Sequence, residues 1–149
     1  MFEALFWATK ICSLIEHQIA IRPRYSEVDQ MGVVYYGNYA AYFEVGRVEL
    51  LRSLGMSYSA LESQGTMLPV VHYSIDFKRG AKYDELTHLT TEIKSMPTRK
   101  IEFYHTLRDE NDQVLVSGKV VLVFVDSVDF KPKRCPEELA KLFEARINQ

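Results

Sequence analysis

The feature that most restricts this chain is a long stretch of two-residue periodicity, from Met67 to Val125, set beside a single helical stripe. Val71, Tyr73, Ile75 and Phe77 alternate with His72, Ser74, Asp76 and Lys78. Leu89, Thr91 and Ile93 continue the rhythm, and Ile101, Phe103, His105 and Leu107 repeat it. Successive side chains of a strand point to opposite faces, so this alternation predicts half-buried strands. Glu110-Asn111-Asp112 reads as the turn of a hairpin leading into a last strand, Val114 to Val125. The second half of that strand is apolar on both faces, which predicts a central strand covered on both sides. The long helix supplies one cover, and a subunit interface is expected to supply the other.

The rest of the chain fits around these strands. His17 to Tyr25 reads as a first strand, with Pro23 marking an edge or a strand end because it cannot donate to a ladder. Ser26 to Gly32 is a polar loop. The helix that follows ends near Leu54, with Gly55 placed to terminate it. Tyr39, Phe43, Gly46, Leu50 and Leu54 share one face at spacings of three and four. Gly46 in that face costs about 1 kcal/mol of helix propensity relative to Ala, and close approach of helix to sheet would compensate. A short helix is expected near Tyr58 to Gln64, and a C-terminal one over Glu137 to Arg146, framed by Pro132 and Pro136. The fold class is α+β: one antiparallel sheet wrapped around one long helix. At 149 residues the chain suits one domain, 17–149, preceded by an extension, 1–16, read as an added helix or an over-long translation start.

Composition excludes several functions. Eighteen basic against 20 acidic residues give a net charge of −2, too little positive field for non-specific nucleic-acid binding. Two cysteines, Cys12 and Cys135, are too few for a disulfide scaffold and are expected as free thiols in a cytoplasmic protein. No run of 18 apolar residues exists to cross a membrane. Glu3 and Lys10 interrupt the apolar residues near the start, against a signal peptide, and one Lys offers little to an anionic lipid surface, so no membrane contact is expected.

Chemistry concentrates in one segment. There is no G-x-G-x-x-G, P-loop, G-x-S-x-G or C-x-x-C, and His17, His72, His88 and His105 lack metal-ligand spacing. By contrast Tyr25, Tyr35, Tyr36, Tyr39, Tyr42 and Phe43 crowd around Asp29, Gly32 and Gly37. Asp29 lies just before a predicted helix start, where free N–H groups and about half a positive charge suit a carbonyl that becomes an oxyanion. A nearby carboxylate can attack that carbonyl or activate water. The same residue could equally cap the helix or a turn, and Asn38 is a second candidate cap. Glu44 and Arg47, three apart, can pair on one helix face. They could be a structural ion pair or support the site from behind. Lys78, Arg79, Lys82, Arg99, Lys100, Lys131, Lys133 and Arg134 read mostly as a solvated face, some of which could meet phosphates.

The run Tyr25-x-x-x-Asp29-x-x-Gly32-Val33-Val34-Tyr35-Tyr36-Gly37-Asn38-Tyr39, followed by Phe43, Glu44 and Arg47, resembles the hotdog-fold acyl-CoA thioesterases of the 4-hydroxybenzoyl-CoA and YbgC-type branches. Asp76 to Leu86 is similar to the family's second-strand region, and the resemblance spans Glu16 to Phe130. It implies a five-stranded hotdog domain and hydrolysis of an acyl-CoA to a carboxylic acid and coenzyme A. It also implies a homodimer or homotetramer with the acyl pocket between subunits. No metal or redox cofactor is implied, since coenzyme A belongs to the substrate. By position, Asp29 matches the catalytic carboxylate, and the N–H groups at Tyr36 and Gly37 match the oxyanion site. Tyr25, Gly32, Val33 and Tyr39 would line or orient the pocket, with Glu44 and Arg47 behind it. Tyr36 stands where YbgC-type relatives usually carry His, so only a role for its backbone carries over, and Gly80 replaces a Pro common in the family. The alternatives are a thioesterase acting on acyl carrier protein and a non-catalytic acyl-binding module. A hotdog dehydratase would need a different His-containing helix.

Overall fold

The computed structural model describes residues 12–149. Five antiparallel strands form the main sheet in the order β1-β4-β5-β6-β3. They are β1 (Ile15–Ile21), β3 (Val70–Phe77), β4 (Thr87–Ile93), β5 (Lys100–Arg108) and β6 (Val114–Val123). A short pair, β2 (Thr66–Met67) with β7 (Val125–Asp126), closes one end. Helix α1 (Tyr39–Ser53) lies across β1, β4 and β5, and α2 (Tyr58–Ser63) and α3 (Glu137–Ile147) complete the chain.

Alternation places Leu89, Thr91, Ile93, Ile101, Phe103, His105 and Leu107 on the face beneath α1, all essentially buried. The α1 stripe of Tyr39, Phe43, Gly46, Leu50 and Leu54 meets them. At Gly46 an added Cβ would stand 2.5 Å from Thr91 Oγ1 and 2.7 Å from Leu89 Cδ2, so the missing side chain is what seats the helix on the sheet. Gly118 does the same on β6, where a Cβ would collide with the Phe43 ring. The helix ends as a Schellman motif. Gly55 is left-handed (φ 94°), its N–H donates to Arg52 O, and Met56 N–H donates to Leu51 O. The hairpin turn is tied by Asp109, whose Oδ1 accepts from Asn111 and Gln113 N–H.

Several expectations shift. β1 begins at Ile15 and stops at Ile21 rather than running from His17 to Tyr25, because the chain turns at Pro23 into a 3-10 turn, Tyr25–Glu27. Ile15 and Glu16 therefore belong to the sheet, 12–14 lead into it with Leu14 N–H donating to Ile93 O, and the remainder of the predicted extension, 1–11, lies outside the described residues. β6 stops at Val123, and Val125 pairs with Met67 instead. Val121, on its outer face, is already buried within the chain. The uncovered apolar surface lies elsewhere, on the edge strand β3, where Val70, Val71, Tyr73 and Phe77 are exposed.

Candidate active site

The segment from Arg24 to Tyr39 folds back on itself before entering α1. Val28 bridges Val34, and Val33 bridges Lys82, so the Asp29 turn is clipped to the loop after β3. Asp29 N–H donates to Val33 O at 2.9 Å, and Gly32 N–H to Asp29 O at 3.0 Å. Gly32 is left-handed at φ 76°, a conformation that the closing residue of this turn requires and an L side chain resists. The Asp29 carboxylate accepts Met31 N–H on Oδ1 at 2.8 Å, an Asx turn. Asp29 thus caps its own turn through one oxygen, while Oδ2 has no partner among the described residues.

The same knot fixes the helix entrance. Tyr35 N–H and the Asn38 side-chain amide both donate to Glu27 O, at 2.9 and 2.8 Å. Asn38 thus occupies the N-cap position of α1, but its side chain makes no capping hydrogen bond and serves as a tether to Glu27. A 3-10 turn, Tyr36–Asn38, leads into α1. The N–H groups of Tyr36 and Gly37, at the start of that turn, have no acceptor among the described residues. Glu27 anchors the arrangement: its carboxylate accepts Arg24 N–H at 2.7 Å and the Tyr42 hydroxyl at 2.8 Å. Burial pushes the Glu27 carboxyl up, but those hydrogen bonds and Arg24 outweigh it and hold the group below its ordinary range. The Tyr42 hydroxyl is driven upward by burial and by Glu27. Sequence reasoning missed Glu27, although its spacing from Arg24 and its place before the Asp29 turn are the signal that could have found it.

The other predicted residues fall into two groups. Tyr25 and Tyr36 are well exposed, Tyr25 edge-on to Tyr83 at 5.5 Å and Tyr36 against Tyr35 at 4.6 Å. Tyr39 is 1% exposed, and its hydroxyl accepts Ala81 N–H at 3.1 Å, so it pins the helix entrance to the loop after β3 instead of offering a free surface. Val33 packs against Gly80, where a Cβ would stand 2.6 Å from Val33 Cβ. Glycine at position 80 thus lets the Asp29 turn sit close to that loop. At Gly37 a Cβ would stand 2.8 Å from the Tyr35 ring.

The pairing expected of Glu44 and Arg47 does not form. Glu44 is exposed, and Arg47 Nε turns toward α2 to donate to the Tyr58 hydroxyl at 3.1 Å. Arg79 is likewise no free cation: it binds Glu85 at 2.6 Å and Asp109 at 3.2 Å, joining the loop after β3 to the β5–β6 turn. Lys100 and Lys119 both pair with Glu102, and Lys131 pairs with Asp129. Arg99 and Arg134 face a cavity of about 370 Å³ beside Cys135. No cluster of three or more His, Cys, Asp or Glu among the described residues could hold a metal ion, and no described helix is long and apolar enough to cross a membrane.

The pattern that defines the thioesterase-like superfamily matches residues 23–143, from the Asp29 knot to α3. The chain belongs to this superfamily. Among its curated relatives, a putative acyl-CoA thioesterase of Bacillus subtilis, YneP, is 34% identical over 112 residues, 75% of this chain and 81% of that one. The acyl-CoA thioester hydrolase YbgC of Escherichia coli is 28% identical over 124 residues, 83% of this chain and 92% of that one. Among solved structures, a DHNA-CoA thioesterase from Staphylococcus aureus superposes with a TM-score of 0.82 at 28% identity, covering 87% of this chain and 89% of that one. Five antiparallel strands around α1 are thus the hotdog architecture of thioesterase-like proteins.

Proposed function

We propose that the chain hydrolyses acyl-CoA thioesters, releasing a carboxylic acid and coenzyme A, with Asp29 as the reacting carboxylate. The observation that carries this reading is the Glu27-tied knot. It joins a carboxylate that has one free oxygen to a helix entrance whose Tyr36 and Gly37 N–H groups are unpaired. Those two donors suit the thioester oxygen as it becomes an oxyanion. Asp29 Oδ2 removes a proton from water, whose oxygen adds to the carbonyl carbon. The tetrahedral intermediate collapses with cleavage of the carbon–sulfur bond, and the thiolate recovers the proton from Asp29. Direct attack by Oδ2 would pass instead through a mixed anhydride, which water then cleaves. The names of the relatives support the reaction class, and the exposed Tyr25 and Tyr36 offer apolar surface around the reacting centre.

A second copy of the chain belongs to this reading. β3 is an edge strand with an exposed apolar row and open ladder groups, an arrangement that single chains seldom leave bare. Pairing two β3 edges would roof the surface beside α1 and enclose the acyl group between subunits. The test of the reaction is a panel of short, long and aromatic acyl-CoAs read by thiol release, run beside the same acyl groups on acyl carrier protein. Turnover of CoA thioesters supports the reading. Turnover on the protein carrier alone moves the substrate class, and flat traces on both leave an acyl-binding module.

A further inference from the structure

A polar cluster lies one turn beyond the site, along the face of α1 that looks toward β3. Tyr39, Phe43 and Arg47 follow at intervals of four and so form one line on the helix. The first two meet β3 in order: Tyr39 lies 5.8 Å from the Phe77 ring and Phe43 lies 6.1 Å from the Tyr73 ring. Phe77, Tyr73 and Val71 are themselves exposed, so an apolar lane runs beside α1 from the helix entrance toward Arg47. From Tyr39 to Arg47 the helix advances about 12 Å. That is a length for an extended acyl chain anchored by its thioester at Tyr36 and Gly37.

The lane ends on unsatisfied polar groups. Arg47 is half-buried, makes one side-chain hydrogen bond, to Tyr58, and has no ion-pair partner among the described residues. A part-buried guanidinium carries five donors and ordinarily finds a carboxylate. His105 is 1% exposed, stacked on Phe43 at 4.4 Å, and holds Thr91 Oγ1 through Nδ1 at 3.1 Å. Its Nε2 is buried without a hydrogen-bond partner. Thr91 is on β4, so Nε2, across the ring, turns away from β4 toward the β6 and β3 side. Arg47 is near enough to add to the burial that drives the His105 imidazole down to about 3. Buried polar atoms are rarely left unpaired, and here two residues share one unmet need for an oxygen acceptor or donor.

We propose that Arg47, with Tyr58 and His105 beside it, reads an oxygen-bearing group, foremost a carboxylate, at the end of the acyl chain remote from the thioester. The inference rests on the proposed thioesterase activity and assigns it a substrate class: medium-to-long acyl-CoAs with a polar terminus. The ω-group, an anion where it is a carboxylate and neutral where it is a hydroxyl, undergoes no chemistry.

The experiment compares kcat/KM for dodecanoyl-CoA, its ω-hydroxy form and its ω-carboxy form, in wild type, Arg47→Met and Arg47→Gln. The ratio of substituted to plain substrate within each protein is independent of the fraction folded. A charge-assisted hydrogen bond made in the bound state predicts a wild-type ratio of about ten- to a hundredfold. Arg47→Met should bring both ratios close to unity, and Arg47→Gln, which keeps a donor but no charge, should bring the ω-carboxy ratio close to unity. Retention of a hydroxyl preference in Arg47→Gln but not Arg47→Met supports hydrogen-bond reading at the same place. A wild-type ratio near one, or a ratio that survives both substitutions, overturns the inference while leaving thioester hydrolysis intact. Absence of hydrolysis on any thioester overturns the underlying reading and this one with it.

Discussion

Replacing Gly46 by Ala puts the seating of α1 to a quantitative test. On propensity alone the change should stabilise the helix by about 1 kcal/mol. The structure reverses that sign. The new methyl would stand 2.5 Å from Thr91 Oγ1 and 2.7 Å from Leu89 Cδ2, where carbon contacts settle near about 3.5–4.0 Å. Leu89 is fully buried, and Thr91 is held by His105. Either the helix lifts or those side chains move, an overpacking cost of about 1–3 kcal/mol. If Thr91 turns away, His105 also loses its one hydrogen bond, about another 1 kcal/mol. The net expectation is destabilisation by about 2 kcal/mol, or a fall in melting temperature of roughly 6 °C for a chain of this size. Urea denaturation of both proteins at one fixed concentration measures it, since association would otherwise shift the midpoint. Thr91→Ala in the same background should recover part of the loss. A neutral or stabilised Gly46→Ala would refute the close approach of α1 to β4.

Three further outcomes follow from the same contacts. His105 is held neutral by burial, its folded value near 3 against an ordinary 6.5. The unfolded chain therefore binds the extra proton between those values, and stability present above about pH 6.5 declines as pH falls toward 3. The loss is about 1.4 kcal/mol per pH unit in that window, and a folded His105→Phe variant should show a flatter midpoint-versus-pH curve than wild type between pH 6 and 4.5. Glu27→Gln should destabilise by about 1–3 kcal/mol in urea, since it weakens the contacts to Arg24 N–H and the Tyr42 hydroxyl. It should also depress thioester turnover more than stability alone explains; turnover that follows only the folded fraction would count against the knot as a positioning device. Val71→Lys on the β3 edge should shift sedimentation toward the monomer and cut activity in parallel. A monomeric wild type would remove the shared-pocket reading.

Much of the architecture was legible because it depends on local periodicity. The β3, β4, β5 and β6 alternation, the α1 stripe and the Gly55 terminator all express constraints within a few residues, and each element forms, although β6 ends two residues early and β3 is left exposed at the sheet edge. Gly46 was legible as a puzzle, a poor helix former in an apolar face, whose solution required Thr91 and Leu89 from another part of the chain. What stayed hidden depended on partners distant in sequence or on competition between near-equal choices. Pro23 could end a strand or sit on its edge, and the strand ends two residues earlier. Arg47 had Glu44 within reach on the helix but takes the Tyr58 hydroxyl, and Asn38 could cap α1 but spends its amide on Glu27 O. Arg79 reads as solvated in a basic run until the fold brings Asp109 to it from thirty residues away. The Asp29 segment itself stood out by composition and resemblance, while its rigidity comes from Glu27, a residue with no conspicuous motif.

The central claim is that the free oxygen of Asp29 performs the chemistry beside the Tyr36 and Gly37 amides. Its most direct test is steady-state thiol release by Asp29→Asn, with folding and oligomeric state checked on the same sample. Asn preserves the acceptor that Met31 N–H uses but cannot take a proton or attack the carbonyl. The account predicts a folded protein slowed by about 10²–10⁴-fold. A folded Asp29→Asn that turns over acyl-CoA at the wild-type rate would contradict it.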